Sequence, residues 1–333
     1  MHAAAISPRG GVARRAANLR GQGIIEYVLI IAVIGLVIVF AGPGVAGAIR
    51  NQFNLVGNTV NSGTTGGAEG GGASGGGSTG ADSATVQAAI AKDAKDWTLD
   101  EQKAVAEDIA AKGEASPAYA KAKAAMDAGT KFSMKLNDGK TLEYRIIGIN
   151  HDDLADGSGK AGLTFLTTSM IFNSRMNATA TNAGGWEKSE LRQEMNSGYI
   201  WGLMPSELQS KVKAVKKFTN NVGGTDKNAA VTPTVDKLFL LSYSEIVPTS
   251  FWASSYPWTS SEGTQYEAFK GKVTANYSGN ACLQIGDYWW ERSVSPSGSA
   301  GFLSVGRYGD PSNYNAGASG ATYSSCVCPV WCF

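Results

Sequence analysis

Residues 130–146, read TKFSMKLNDGKTLEYRI, mark the point where the chain turns from helical to β-rich sequence. Phe132, Met134 and Leu136 alternate with polar residues, and Leu142, Tyr144 and Ile146 resume the alternation. Asn137-Asp138-Gly139-Lys140 lies between them, and period-two patterning around such a turn predicts a β-hairpin. From there to Phe333 run roughly 200 residues, enough for one core. Helical spacing is expected over 187–203 and 205–217, with Pro205 starting the second run, and a strand over 235–242. Beyond residue 251 short strands rich in Trp and Tyr alternate with Ser, Gly and Asn loops. The fold class expected for 130–333 is α+β.

Upstream, residues 83–95 are alanine-rich, with Val86, Ala89 and Ile90 apolar. Thr98-Leu99-Asp100-Glu101 is a capping-box pattern, predicting a helix to about Lys112 with Gly113 as its stop. Ser116-Pro117 predicts a third helix ending at Gly129, because proline suits a first helical turn. Alanine-rich faces offer little core, so 83–129 reads as a helical spacer or small lid. Residues 61–82, NSGTTGGAEGGGASGGGSTGAD, are a Gly/Ser-rich flexible linker without apolar anchors. Its random-coil reach is about 25 Å.

Further back, residues 21–40, GQGIIEYVLIIAVIGLVIVF, open an apolar run that continues to about Ile49 and contains one carboxylate, Glu26. The charged residues ahead of it are all basic: Arg9, Arg14, Arg15 and Arg20. A charge within a membrane-length apolar helix is unfavourable by roughly 2.5–3.5 kcal/mol or more, so Glu26 is expected to have a task. A transmembrane helix is therefore expected within 22–60, loosened at Gly42-Pro43-Gly44, with the arginines cytoplasmic and the remainder outside. A plain signal anchor and a secretory signal peptide are the alternatives. The run is long for a signal core of about 7–15 residues, and Glu26 suits neither.

This stretch resembles the prepilin leader of type IV pilins, most closely the short Flp (Tad) pilins. The resemblance implies that a prepilin peptidase removes the leader, residues 1–21, by cutting between Gly21 and Gln22. Glu26 and Tyr27 would then be the fifth and sixth residues of the mature chain. Other pilin subunits are the implied partners, the Gln22 ammonium of one subunit neutralising Glu26 of its neighbour. The implied location is the cell membrane, single-pass with an extracellular C-terminal domain, or a pilus.

Residues 130–333 carry a second set of motifs. They are Asn150-His151-Asp152 with Asp156-Gly157, Met176-Asn177 through Asn182 to Trp186, and Ser189-Glu190-Leu191-Arg192 with Met195-Asn196. Asp236 to Ser242, Tyr288-Trp289-Trp290-Glu291-Arg292-Ser293 and the ending Cys328-Pro329-Val330-Trp331-Cys332-Phe333 complete it. The set resembles a family of uncharacterised domains of bacterial surface, pilus-like and phage-associated proteins. Those domains look like relatives of the C-type-lectin and formylglycine-generating (sulfatase-modifying-factor) fold. The resemblance implies a C-type-lectin-like domain whose C-terminal loops form a ligand face.

The loop 306–325 offers Tyr308, Asp310, Asn313, Tyr314, Asn315 and Tyr323, a paratope-like mixture of rigid aromatic and adaptable polar groups. An ordinary solvated loop has the same composition. Trp252, Tyr256 and Trp258 form a second aromatic cluster that either stacks on sugars or packs half-buried. A host or cell-surface glycan or protein is the expected ligand. Trp289, Trp290 and Arg292 read as core, an aromatic pair with a buried, hydrogen-bonded guanidinium.

Other chemistries find less support. The net charge of +1 provides no footprint for nucleic acid. Without the leader His151 is the sole histidine, and no Gly-x-Ser-x-Gly is present, so no catalytic residues and no cofactor are assigned. Asp310-Pro311-Ser312-Asn313 lacks the Trp-Asn-Asp that accompanies calcium-dependent sugar binding. Asp152, Asp153 and Asp156 lack EF-hand spacing and read as an acidic turn, so no metal is assigned. Cys282, Cys326, Cys328 and Cys332 are expected to form two disulfides, with three connectivities open. A zinc site lacks its paired Cys-x-x-Cys hooks.

Three functions follow as expectations. The first is a pilin-like cell-surface protein displaying a lectin-like, adhesin-type domain. The second is a purely structural pilus subunit, and the third a surface enzyme of the sulfatase-modifying type.

Overall fold

The computed structural model describes residues 83–248, 252–274, 276, 279–311 and 320–333. These belong to the compact unit Gly80–Phe333. The cleavage site Gly21/Gln22, the residues Glu26 and Tyr27, and the linker 61–82 lie outside the described residues.

Three helices come first: α1 (Ser83–Ile90), α2 (Leu99–Lys112) and α3 (Tyr119–Ala128). The capping box forms as the sequence predicts, with Glu101 N–H donating to Thr98 Oγ1 at 3.2 Å and Thr98 N–H to Glu101 Oε2 at 2.7 Å. These helices are more than a spacer, because Val86, Ala89, Trp97, Val105, Ile109, Ala122 and Met126 are all buried. Their small faces permit close approach. A Cβ on Gly162 would sit 1.8 Å from the Ala106 carbonyl oxygen, so α2 rests directly on sheet backbone.

The predicted hairpin is present as β1 (Lys131–Lys135) and β2 (Thr141–Ile149), with Lys131 opposite Arg145 and Lys135 opposite Thr141. With β3 (Leu163–Thr167) and β10 (Val330–Cys332) it forms a four-stranded sheet of order β1-β2-β3-β10. Phe132, Tyr144, Phe165 and Trp331 pack on its helix-covered side, with Tyr144 and Trp331 ring centroids 4.9 Å apart. The second sheet, β4-β9-β7-β8, contains β4 (Phe172–Ser174), β7 (Trp289–Val294), β8 (Phe302–Val305) and β9 (Ser325–Val327). Every residue of β7 is buried, including Trp289, Trp290 and Arg292.

Between the sheets in sequence lie α4 (Gly185–Lys188), α5 (Glu190–Asn196), α6 (Tyr199–Leu203), α7 (Ser206–Gln209), the ribbon of β5 (Val215–Asn220) and β6 (Val231–Asp236), and α8 (Tyr243–Ile246). Two expectations are corrected here. The helical spacing over 205–217 yields only the single turn α7, because the alternation from Val215 to Thr219 is claimed by pairing with β6. The strand expected over 235–242 stops at Asp236, because Asn196 Oδ1 accepts Lys237 N–H at 2.7 Å and takes the backbone out of the ladder.

The membrane-spanning part of the expected fold class is also corrected. Among the described residues no helix is long and apolar enough to cross a membrane. The longest described helix, α2, has 14 residues and carries Asp, Glu and Lys throughout. The segment 22–60 on which that expectation fell lies outside the described residues, and what stands is an α+β unit.

The two expected disulfides are absent, since Cys282, Cys326, Cys328 and Cys332 are all free. Cys326 faces Asn173 in the second sheet, Cys332 faces Thr164 in the first, and Cys282 sits in the short turn Ala281–Leu283. Cys326 and Cys328 are two residues apart, and their buried thiols interact without a bond.

Candidate functional site

The polar centre of the unit is assembled from four elements. Lys217 lies on the inward phase of β5, Asp152 follows β2, Glu245 is in α8 and Arg292 is in β7. Lys217 Nζ stands 2.6 Å from Asp152 Oδ1 and 2.5 Å from Glu245 Oε1. Arg292 makes a two-pronged contact with Glu245, Nη1 to Oε2 at 2.5 Å and Nη2 to Oε1 at 3.0 Å. Its Nε–H donates to Thr219 Oγ1 at 3.0 Å, and further N–H groups serve the Leu240 and Glu262 carbonyls at 2.7 Å each. Tyr266 and Thr164 hydroxyls donate to Asp152 at 2.9 Å and 2.6 Å.

Two cations thus face two anions. Burial alone would raise Asp152, yet the Lys217 ammonium outweighs it and holds the carboxyl well below the usual carboxylate range. Glu245 is likewise lowered against its burial by Arg292 and Lys217. A deeply buried ion pair is tolerable only when hydrogen bonds satisfy its remaining valences, as they do here. A cavity of about 250 Å³ lies over this network, with His151, Lys160, Phe218 and Thr264 in its wall. His151 stacks on Tyr266 with centroids 3.9 Å apart, and its Nδ1 lies 3.2 Å from Glu267 Oε2. The mutual neutralisation makes this cluster a fastening between strands.

Two further acids are buried beside it. Burial raises Glu262 to about 7, opposed by hydrogen bonds from Ser293 Oγ and the Asn220 amide. Glu291 is wholly buried without a partner for either oxygen, and burial pushes its carboxyl far up. The acidic turn separates into three environments, with Asp152 in the network, Asp153 on Lys160 at 3.0 Å and Asp156 accepting Ser158 N–H at 2.8 Å. Among the described residues no group of three or more His, Cys, Asp or Glu could hold a metal ion.

The expected ligand residues fall into two sets. Tyr256 and Trp258 are buried and Trp252 half-buried, with centroids 6.5 Å and 6.2 Å apart along the series. Trp258 Nε1–H donates to the Asp226 carbonyl at 3.0 Å, so this cluster packs rather than presenting an open stacking face. In the other set Tyr308 is 65% exposed and Tyr323 50% exposed. Asp310 is half-buried, while Asn313, Tyr314 and Asn315 lie outside the described residues.

The turn carrying Tyr308 is fixed by its backbone. Gly306 N–H donates to the Asp310 carbonyl at 2.7 Å, Gly279 N–H to the Tyr308 carbonyl at 2.6 Å, and Asn280 Nδ2 to the Gly309 carbonyl at 2.7 Å. Gly309 has φ +75°, and a Cβ there would meet the Asn280 carbonyl oxygen at 2.4 Å, so only glycine fits. Tyr323 is held from the other side, where Ala321 N–H donates to the Ala300 carbonyl at 2.8 Å.

Sequence reasoning missed Lys217, Glu245, Glu262 and Tyr266. One signal was available: Lys217 falls on the inward phase of an alternating strand, between Val215 and Thr219.

Residues 161–329 match the family described as a domain of unknown function, DUF6273. The match spans just over half of the chain, and the chain belongs to that family. No curated protein and no solved structure matches.

Proposed function

We propose that this chain is a displayed recognition protein: a pilin-type N-terminus processed after Gly21, a flexible linker, and a folded unit that binds a glycan or protein through its C-terminal loops. The observation that carries the reading is the presentation of Tyr308 and Tyr323 at 65% and 50% exposure on turns tied to the second sheet. Aromatic side chains held this way supply contact area with little further entropy loss, which is how paratopes work. Glu26 and Gln22 supply the proposed contact to neighbouring pilin subunits, and prepilin peptidase the processing.

The test is a glycan and protein binding screen with the full chain, repeated with Tyr308→Ala and Tyr323→Ala. Binding should fall at least tenfold in one variant while melting stays unchanged. A ligand bound equally well by both variants would remove the loop face from the proposal. N-terminal sequencing of mature protein should begin at Gln22, and any other start would remove the pilin assignment.

A second reading is favoured by one observation. Phe218, at 41% exposure, and Val235, at 55%, share the outer face of the β5–β6 ribbon with Pro233. An exposed apolar strip of that kind suits a structural subunit packing against its neighbours. Phe218→Asp should then impair assembly, whereas the recognition reading expects assembly unaffected.

A further inference from the structure

A cleft of about 520 Å³ lies between the strand β4 and the helices α5 and α6. That volume falls within the roughly 300–1,000 Å³ of ligand pockets. Its apolar lining comes from buried Leu191 and Ile200 and from half-buried Ile171 and Leu203. Asn173, Arg175, Glu190 and Tyr199 also line it and are exposed, so these groups are open to whatever enters.

The β4 wall of the cleft is a sheet edge. Among the described residues β4 pairs with β9 alone. Asn173 stands opposite Cys326, whose own N–H donates to the Tyr288 carbonyl at 3.0 Å on the far side of β9. Cys326 therefore turns its peptide groups toward β7, and Asn173, its non-hydrogen-bonded partner, turns its N–H and C=O away from β9. The neighbouring residue agrees with this phase, because the Ser174 carbonyl points the opposite way and accepts from Trp290 Nε1–H at 2.8 Å. An edge of this kind is a template for another extended chain, which can bond both Asn173 groups.

Charge selects among extended chains. Glu190 and Glu194 lie one turn apart on α5, and both line the cleft. Arg175 reaches Glu190 at 3.6 Å and Lys140 is held by Asp138 at 3.1 Å, whereas among the described residues no cation pairs with Glu194. Its Oε2 accepts the Tyr199 N–H at 2.7 Å, which fixes the carboxylate in place and leaves its charge unmatched. We propose that the cleft binds an extended peptide segment of a partner protein, which adds to β4 at Asn173 and sets a lysine or arginine against Glu194. The apolar lining takes the alternate side chains. The site shares no residue with the Tyr308 and Tyr323 face and does not depend on the function proposed for it.

The experiment is fluorescence anisotropy of the full chain with a dye-labelled, amidated pentapeptide of alternating valine and lysine. Either residue type can stand opposite Asn173, so both phases are sampled. The peptide should bind saturably, and a version with glutamate for lysine several-fold more weakly. A version N-methylated along its backbone keeps the side chains and cannot pair with an edge, so its binding should be lost. Glu194→Gln keeps an acceptor for the Tyr199 N–H, so it should melt as the parent does and weaken the lysine peptide about two- to fivefold, the size of one partly exposed ion pair. Absence of lysine-peptide binding, or equal binding of the N-methylated version, would overturn strand addition at β4. Equal binding of the glutamate version, or unchanged binding in Glu194→Gln, would overturn the assignment to a basic peptide. A concentration-dependent dimer that the lysine peptide disperses would show that a second copy takes the edge, which would overturn the partner peptide.

Discussion

Replacing Lys217 by methionine tests whether the buried ion network holds the unit together. The Lys217 side chain is 4% exposed, with its ammonium 2.6 Å from Asp152 and 2.5 Å from Glu245. Methionine preserves most of the stem and deletes the charge. The two acids do not suffer equally. Glu245 keeps both contacts to Arg292, whereas Asp152 is left with the Tyr266 and Thr164 hydroxyls inside a buried site. Removing one partner of a buried pair typically costs about 3–5 kcal/mol, against a total stability of about 5–15 kcal/mol. For a unit of this size each kcal/mol moves Tm by about 2–4 °C, so the expected fall is roughly 6–20 °C. Circular-dichroism melts of the full chain at pH 7 measure it. Adding Asp152→Asn removes the orphaned charge and should return part of the loss, a coupling of about 0.5–3 kcal/mol. A Lys217→Met melt within about 2 °C of the parent, or two penalties that simply add, would show that the ion network does not hold the unit together.

Three other outcomes are expected. Glu262 is raised by burial to about 7, so its protonated form is favoured by folding. That contribution is complete below about pH 4.5 and is lost as pH rises through about 7, amounting to about 3 kcal/mol. Glu262→Gln should therefore flatten the decline in urea midpoint between pH 5 and pH 8, and an unaltered slope would refute it. Gly162→Ala should destabilise by about 1–3 kcal/mol in denaturant melts, because the new methyl meets the Ala106 carbonyl, and a neutral result would mean the helices do not rest on the sheet. Thiol titration after denaturation without reductant should count all four cysteines as free, and a count of two or none would restore the expected disulfides.

Where the sequence was legible, the deciding interactions are short in range. The Thr98/Glu101 cap spans three residues, and the β1–β2 hairpin closes over Leu136 to Lys140, so local chemistry alone specifies both. The segment 205–217 shows the limit. Leu208, Val212 and Val215 have helical spacing, but Val215, Lys217 and Thr219 also have strand spacing, and the partner strand β6 decides between them. The alanine-rich faces of α1 to α3 read as weak core, since the closeness they permit becomes visible only when Gly162 lies opposite Ala106.

Arg145 and Arg292 differ in the same physical terms. In sequence Arg145 and Arg292 look alike, each a single cation within a strand of apolar and aromatic residues. Arg292 is wholly buried and Arg145 half-buried, and burial disfavours the guanidinium in both places. They differ in what the fold brings to them from afar. Arg292 receives Glu245 from 47 positions away, whereas Arg145 receives a backbone carbonyl from 137 positions away and no carboxylate. A charge balanced within the chain is a fastening. On that argument Arg292→Lys should lower stability wherever it is measured, since a point charge cannot replace the two-pronged contact. Arg145→Gln should melt at or above the temperature of the parent chain, because it removes a half-buried cation whose hydrogen-bond partner is a backbone carbonyl and not a carboxylate. A fall of several degrees in Arg145→Gln would show that the Cys282 carbonyl alone balances Arg145, and the distinction between the two arginines would collapse.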